Sequence, residues 1–208
     1  METNLTATHL AVLFGVMVVG ASIPSASVLA VSARSAAFGV AHGILASMGI
    51  VLGDMLFIAL AIYGLAQLAG ALGGHFVLIQ YLGAAYLIGL GLVLAVSRSK
   101  PETVATNGEA SLLASFLTGL LITLGDQKAI LFYLGFFPAF VDLSALTLFD
   151  TGVILAIAAV AVGVPKLAYA FMADRSRLIL KNPGAIRLLN IVAGAVMVGV
   201  GALLAIKA

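Results

Sequence analysis

The chain has 208 residues, 63% of them hydrophobic and only 9% charged. A water-soluble domain carries about 25% charged residues, so this composition cannot coat a soluble surface and makes the lipid bilayer the solvent. A net charge of +2, thinly spread between apolar runs, forms no nucleic-acid patch, and the absence of cysteine excludes disulfides and thiolate-bound metals.

Six apolar segments approach the ~20 residues a helix needs to cross a bilayer. They run from His9 to Val31, Ala41 to Leu65, Phe76 to Val96, Leu112 to Phe137, Gly152 to Met172 and Leu188 to Ile206. Alternation of period two is absent, which argues against a membrane barrel. Helices remain, because hydrocarbon offers the backbone no other partner. The opening METNLTATHL lacks the basic residues of a signal peptide, so the first segment is expected to stay as a membrane helix.

Charge between the segments gives an orientation. Arg34 follows the first; Arg98 and Lys100 follow the third; Arg175, Arg177, Lys181 and Arg187 separate the fifth and sixth. The second connection, QLAGALGGH, has no Lys or Arg, and the fourth carries Asp142 and Asp150. Basic residues stay on the cytoplasmic side, so the odd connections face inward and both termini outward, with Lys207 the exception.

The polar stretch from Ser97 to Ser111 contains Pro101, Asn107 and Gly108, the marks of a loop. The expected fold is therefore an all-α integral membrane protein with a single transmembrane domain, 1–208. Its three-helix halves, 1–97 and 111–208, are joined by a cytoplasmic loop, 98–110. An odd number of helices per half inverts the second half relative to the first, a plan common among transporters.

In that plan the fourth segment corresponds to the first, and both are interrupted. The run Thr118 to Asp142 holds Gly125, Asp126, Gln127 and Lys128 at its middle. A charge at that depth costs roughly 3 kcal/mol on insertion scales and calls for a partner, a wet cavity or a substrate. The first segment contains Ser22, Ile23, Pro24, Ser25, Ala26 and Ser27, and proline removes a ladder donor while clashing one turn back. Each break starts a fresh half-helix, with Pro24 suited to a first turn and Asp126 to an N-cap. Their unpaired N–H groups and positive dipole ends would converge at mid-membrane and hold an anionic group such as a carboxylate.

Asp54, in the middle of the second segment, reads as a proton carrier or a binder of a substrate ammonium, or else as a packing carboxyl. Lys128 is either a substrate contact or a counter-ion to Asp126 or Asp54. Lys166 follows Pro165 in the fifth segment and either joins the site or snorkels to the interface. Gln80, Tyr81, Tyr86 and Tyr133 line a cavity or bond between helices, and the sequence does not choose. Gly49 with Gly53, Gly70 with Gly74, and Gly194, Gly199 and Gly201 read as close-packing positions.

His9, His42 and His75 lack ligand spacing, so no metal site is expected. No nucleophile motif, Walker loop or dinucleotide fingerprint is present, so neither an enzyme nor a cofactor is expected. The charges Asp54 and Asp126 against Lys128 and Lys166 balance, which suits a zwitterion such as an amino acid. The rival readings are an inorganic cation exporter or channel coordinating its ion through Asp54 and Asp126, and a non-transporting membrane scaffold.

The order of spans, GDQKAILFYLGFFPAFVD, IPSASVLAVSARS followed by GILASMGIVLGD, YLGAAYLIGLG and LNIVAGAVMVGVGALLA together resemble the lysine exporter (LysE-type) superfamily of amino-acid translocators over nearly the whole chain. The resemblance implies a plasma-membrane exporter of small amino acids or derivatives, driven by the proton gradient, and leaves a homodimer open. The family's Pro-Gly-Pro falls on Pro24, Ser25 and Ala26, and only the first proline is kept. Its Asn-Pro-Lys falls on Asp126, Gln127 and Lys128, and only the lysine is kept. Its Gly-Asp falls on Gly53 and Asp54 intact. Loss of both second prolines implies milder breaks.

Overall fold

The computed structural model describes residues 5–96, 111–141, 145–175 and 183–207. The linker 98–110 with Arg98 and Lys100, the acidic Asp142, and Arg177 and Lys181 lie outside the described residues. Among those described there are eight α-helices, one 3₁₀ turn and no strand.

Helix α1, Ala7–Ser22, starts at Thr6, whose hydroxyl accepts from His9 N at 3.3 Å. It stops because Pro24 has no N–H for the carbonyl of Gly20 and forces Ile23 into extended backbone (φ −64°, ψ 130°). Helix α2, Ala26–Phe38, resumes after Ser25 and ends at Gly39, whose φ of 93° is one glycine adopts readily. Together α1 and α2 cover the first apolar segment, bent by 61°. The break is sharp with Pro24 as its one proline, rather than mild.

Helix α3, Val40–Leu72, is about 50 Å long at 1.5 Å per residue. The 3₁₀ turn Gly73–His75 leads into α4, Phe76–Val96. By apolarity alone Val40–Val93 is one stretch of 54 residues, about 80 Å of helix against a hydrocarbon core of about 30 Å. Gly73, at φ 51°, ends α3 and makes two helices of it.

Helix α5, Leu112–Leu124, is capped by Ser111. Helix α6, Gln127–Phe140, begins after Asp126, and the two are bent by 60°. Helix α7, Leu148–Arg175, opens with a reciprocal cap. Thr147 N and Oγ1 donate to Asp150 Oδ2 at 3.0 and 2.8 Å, and Asp150 N donates back to Thr147 Oγ1 at 3.1 Å. Asp150 is thus a helix cap as well as a charge near a connection. Helix α8, Pro183–Lys207, closes the chain.

Every predicted apolar segment falls on a helix or a bent pair. By length and apolarity the described residues contain two spans, Val40–Val93 and Leu148–Ala173, or up to four if each bent pair is one; α8 adds only the shorter apolar stretch Asn190–Ile206. Leu60, Leu82, Leu113 and Leu188 are exposed on the outside, where lipid is their natural solvent.

Inside, α4 packs chiefly on α8, and α3 lies against α5 and α7. Glycines set these distances. A Cβ on Gly49 would run into the backbone of Phe116, and one on Gly119 into that of Ala46. Gly91 and Gly194 face each other's carbonyls across α4 and α8. Gly70 and Gly74, expected as a packing pair, meet open space, as does Gly199. A core of Leu13, Ile58, Leu87, Phe136, Phe137 and Ile154 fills one end of the bundle. At the other, Arg34 Nη2 donates to Thr118 Oγ1 at 2.8 Å, tying α2 to α5.

Candidate functional site

The two broken helices, α3 and α7, with residues of α4 and α8, line a cavity of about 780 Å³. Pro24, Ser25, Asp54, Gly125, Asp126, Lys128 and Lys166 all line it. Gln127 opens α6 between two of them, and its side chain lies outside the described residues. One chamber thus gathers residues spread over four predicted segments.

The breaks differ in who completes them. At the first, Ser25 precedes α2 but makes no capping bond among the described residues; its hydroxyl pairs with Ser27 Oγ at 2.9 Å. The opening N–H groups of α2 have no side-chain acceptor among the described residues, at the positive end of the helix dipole. At the second, Asp126 caps α6 itself, accepting from Lys128 N at 3.0 Å through Oδ1. The expectation that both N-termini hold a substrate anion is therefore corrected. A carboxylate of the protein already sits on α6, and only α2 presents an open start.

The carbonyl end of α1 is completed from α7. Lys166 Nζ donates to Ala21 O at 3.0 Å and Tyr169 OH to Ser22 O at 2.9 Å. Lys166 is 3% exposed, so it does not snorkel. It lies close enough to Asp54 and Asp126 for their charges to interact, and Tyr133 lies close to the Asp54 carboxyl. Of the aromatic residues left open by the sequence, Tyr133 lines the cavity, while Tyr86 donates to Lys128 O at 3.3 Å.

Gly53 lets α5 approach beside Asp54, where a Cβ would come within 2.8 Å of Thr123. Thr123 lines the cavity, is 4% exposed, and its Oγ1 has no partner among the described residues. Sequence reasoning missed Thr123 and Tyr169. The available signal for Tyr169 was its place three residues after Lys166, on the same helical face. The rest of the wall is apolar, with Met17, Ile50, Leu90, Phe132 and Met197 among it. The chamber thus offers hydrogen-bond donors at the α2 start, carboxylates at Asp54 and Asp126, and hydrocarbon between them.

Residues 18–208 match the family described as LysE type translocator. An uncharacterised membrane protein of Synechocystis sp. is 46% identical over 94% of this chain and 94% of its own length. A leucine efflux protein of Salmonella typhimurium is 36% identical over 59% of this chain and 58% of its own length. An uncharacterised membrane protein of Pseudomonas aeruginosa is 39% identical over 58% of each chain. No solved structure matches.

Proposed function

The chain belongs to the LysE type translocator family, and on that premise we propose that it exports an amino acid with an apolar side chain by alternating access. It is a transporter rather than an enzyme, a multi-pass membrane protein and, in bacteria, one of the plasma membrane. The observation that carries the proposal is the single chamber into which both helix breaks open, with Asp54, Asp126, Lys128 and Lys166 on its wall.

The substrate carboxylate is held at the start of α2, by its free N–H groups, the hydroxyls of Ser25 and Ser27, and the Lys128 ammonium. The ammonium of the substrate turns to Asp54. Its side chain lies along Met17, Ile50, Leu90 and Phe132, a wall that favours hydrocarbon over a second charge. The leucine efflux relatives support the same class. Gln127 and Gly125 shape the α6 break, and Asp54 carries the proton that couples export to the gradient.

In this reading the six apolar segments are six spans with both termini outward, and 1–97 and 111–208 are inverted halves that rock about the chamber. The two bends, 61° and 60° at matching places in the halves, support it, as does the distribution of basic residues. The cation reading has the lysine ammonium groups of Lys128 and Lys166 against it, since each repels the ion that Asp54 and Asp126 would bind.

The test is efflux of radiolabelled leucine from loaded cells that lack other leucine exporters. Asp126→Ala and Lys128→Ala should each reduce it by about tenfold or more, the scale of a lost charge-assisted contact. Efflux unchanged in both variants would refute the site.

A further inference from the structure

A helix that stops inside a membrane leaves its last carbonyls without donors, at the negative end of its dipole. In transporters built on broken helices, such carbonyl ends coordinate a coupling cation. At the end of α1 the same oxygens are already taken. Gly20 O accepts Ile23 N at 3.3 Å, Ala21 O accepts Lys166 Nζ at 3.0 Å, and Ser22 O accepts Tyr169 OH at 2.9 Å. The Lys166 ammonium is buried, and Asp54 and Asp126 both lie within range of its charge.

We infer that Lys166 is a tethered cation occupying the place of a metal ion at the end of α1, and that the protein binds and needs no sodium ion there. The groups around it would suit a hard monovalent cation: the Ala21 carbonyl in contact, and the carboxylates of Asp54 and Asp126 within range of its charge, all oxygen. The ammonium supplies one positive charge to the Ala21 carbonyl and, at longer range, to the two carboxylates, from a side chain that cannot leave. Tyr169, one helical turn on, closes the neighbouring carbonyl, so the two residues form one cap presented by a single face of α7.

The cap also has a mechanical consequence. Lys166 and Tyr169 link α7, in the second half of the chain, to the break in the first half. A site that needs no ion to complete its break is assembled before the substrate arrives. The role in transport rests on the exporter reading above; the ion-binding claim does not.

Two measurements on the purified full chain test this. The first is thermal unfolding in NaCl against choline chloride at equal ionic strength, for the native protein and for Lys166→Ala. The native midpoint should be the same in both salts. Lys166→Ala, which leaves the Ala21 carbonyl and Asp54 facing a vacant pocket, should be stabilised by sodium, with a rise of about 3 °C at saturating salt. If the variant is recovered folded only when sodium is present throughout purification, that rescue is the same result. A sodium-specific shift in the native protein would overturn the inference. So would a Lys166→Ala variant indifferent to sodium, or one that sodium fails to rescue.

The second measurement is leucine counterflow in proteoliposomes with sodium replaced by choline. Unchanged counterflow supports the inference, and loss of counterflow in choline overturns it. Absence of leucine transport in both salts would refute the substrate assignment, while the unfolding result would still decide the cation.

Discussion

Gly53→Ala is the perturbation that most directly couples packing to the site. The added Cβ would stand 2.8 Å from both Cβ and Cγ2 of Thr123, about 1 Å inside an ordinary carbon–carbon contact. Thr123 cannot swing away, because its own Cβ is part of the clash and its branched side chain is stiff. Helix α5 must yield instead. Overpacking of this kind costs about 1–3 kcal/mol, against about 1 kcal/mol gained when alanine replaces glycine in a helix. The control is Gly64→Ala on the same helix, where a Cβ meets nothing within 4 Å, so only the gain applies. The two variants should differ by about 1–3 kcal/mol, or about 5- to 150-fold in the unfolding equilibrium, measured in detergent by denaturant titration. Transport should separate them further. The Thr123 carbonyl accepts Asp126 N at 3.0 Å, so a displaced Thr123 drags the α6 cap with it. Leucine counterflow should fall at least about tenfold in Gly53→Ala, as expected of a 1 Å misplacement in a site, and stay at the native level in Gly64→Ala. Equal stability and equal transport in the two variants would refute the α3–α5 contact and its bearing on the chamber.

Two further outcomes follow from single contacts. Asp54→Asn keeps the size and an oxygen of the side chain but no proton to carry. Leucine exchange between loaded and external pools should weaken, because the substrate ammonium loses its charged partner, while accumulation driven by a pH gradient should fall by about a further tenfold or more; equal loss of both would assign Asp54 to binding alone. Asp150→Ala removes the carboxylate that accepts from Thr147 N and Oγ1 at the start of α7, and leaves the N–H of residue 150 on Thr147 Oγ1. It should cost about 1 kcal/mol, seen as a melting point lower by about 3 °C, with the substrate dependence of counterflow unaltered.

Local rules carried much of the architecture. Pro24 announced its break because the missing N–H and the clash one turn back are properties of the residue itself. Asp126 announced a cap, and Gly49 and Gly53 a close approach, for the same reason: the chemistry lies within a turn or two of the chain. Gly70 and Gly74 carried the same spacing and pack against nothing, since spacing says that a surface is smooth but not that a neighbour lies on it. The partners of the α1 carbonyls were illegible for a different reason. Lys166 is 145 residues from Ala21, and Tyr169 is 147 from Ser22. Nothing in either neighbourhood states that they meet. Arg34, read only as a marker of the cytoplasmic side, likewise turned out to hold Thr118 on α5.

The two prolines Pro24 and Pro165 show what finally decides a break. Both sit in long apolar runs and both delete a donor, yet α7 continues through Pro165 while the chain leaves its helix at Pro24. In hydrocarbon a helix keeps every bond it can, because no water replaces a lost one. A break therefore persists only where other groups satisfy the carbonyls it frees. At Pro24, Lys166 and Tyr169 do so. At the second break Asp126 serves the opposite end, satisfying an N–H group at the start of α6. Completing the first break at its carbonyl side leaves its amide side, the start of α2, as the uncapped terminus in the chamber. That asymmetry gives a zwitterionic substrate a direction: its carboxylate belongs at α2 and its ammonium toward Asp54, with Lys166 between the carboxylates and the α1 terminus.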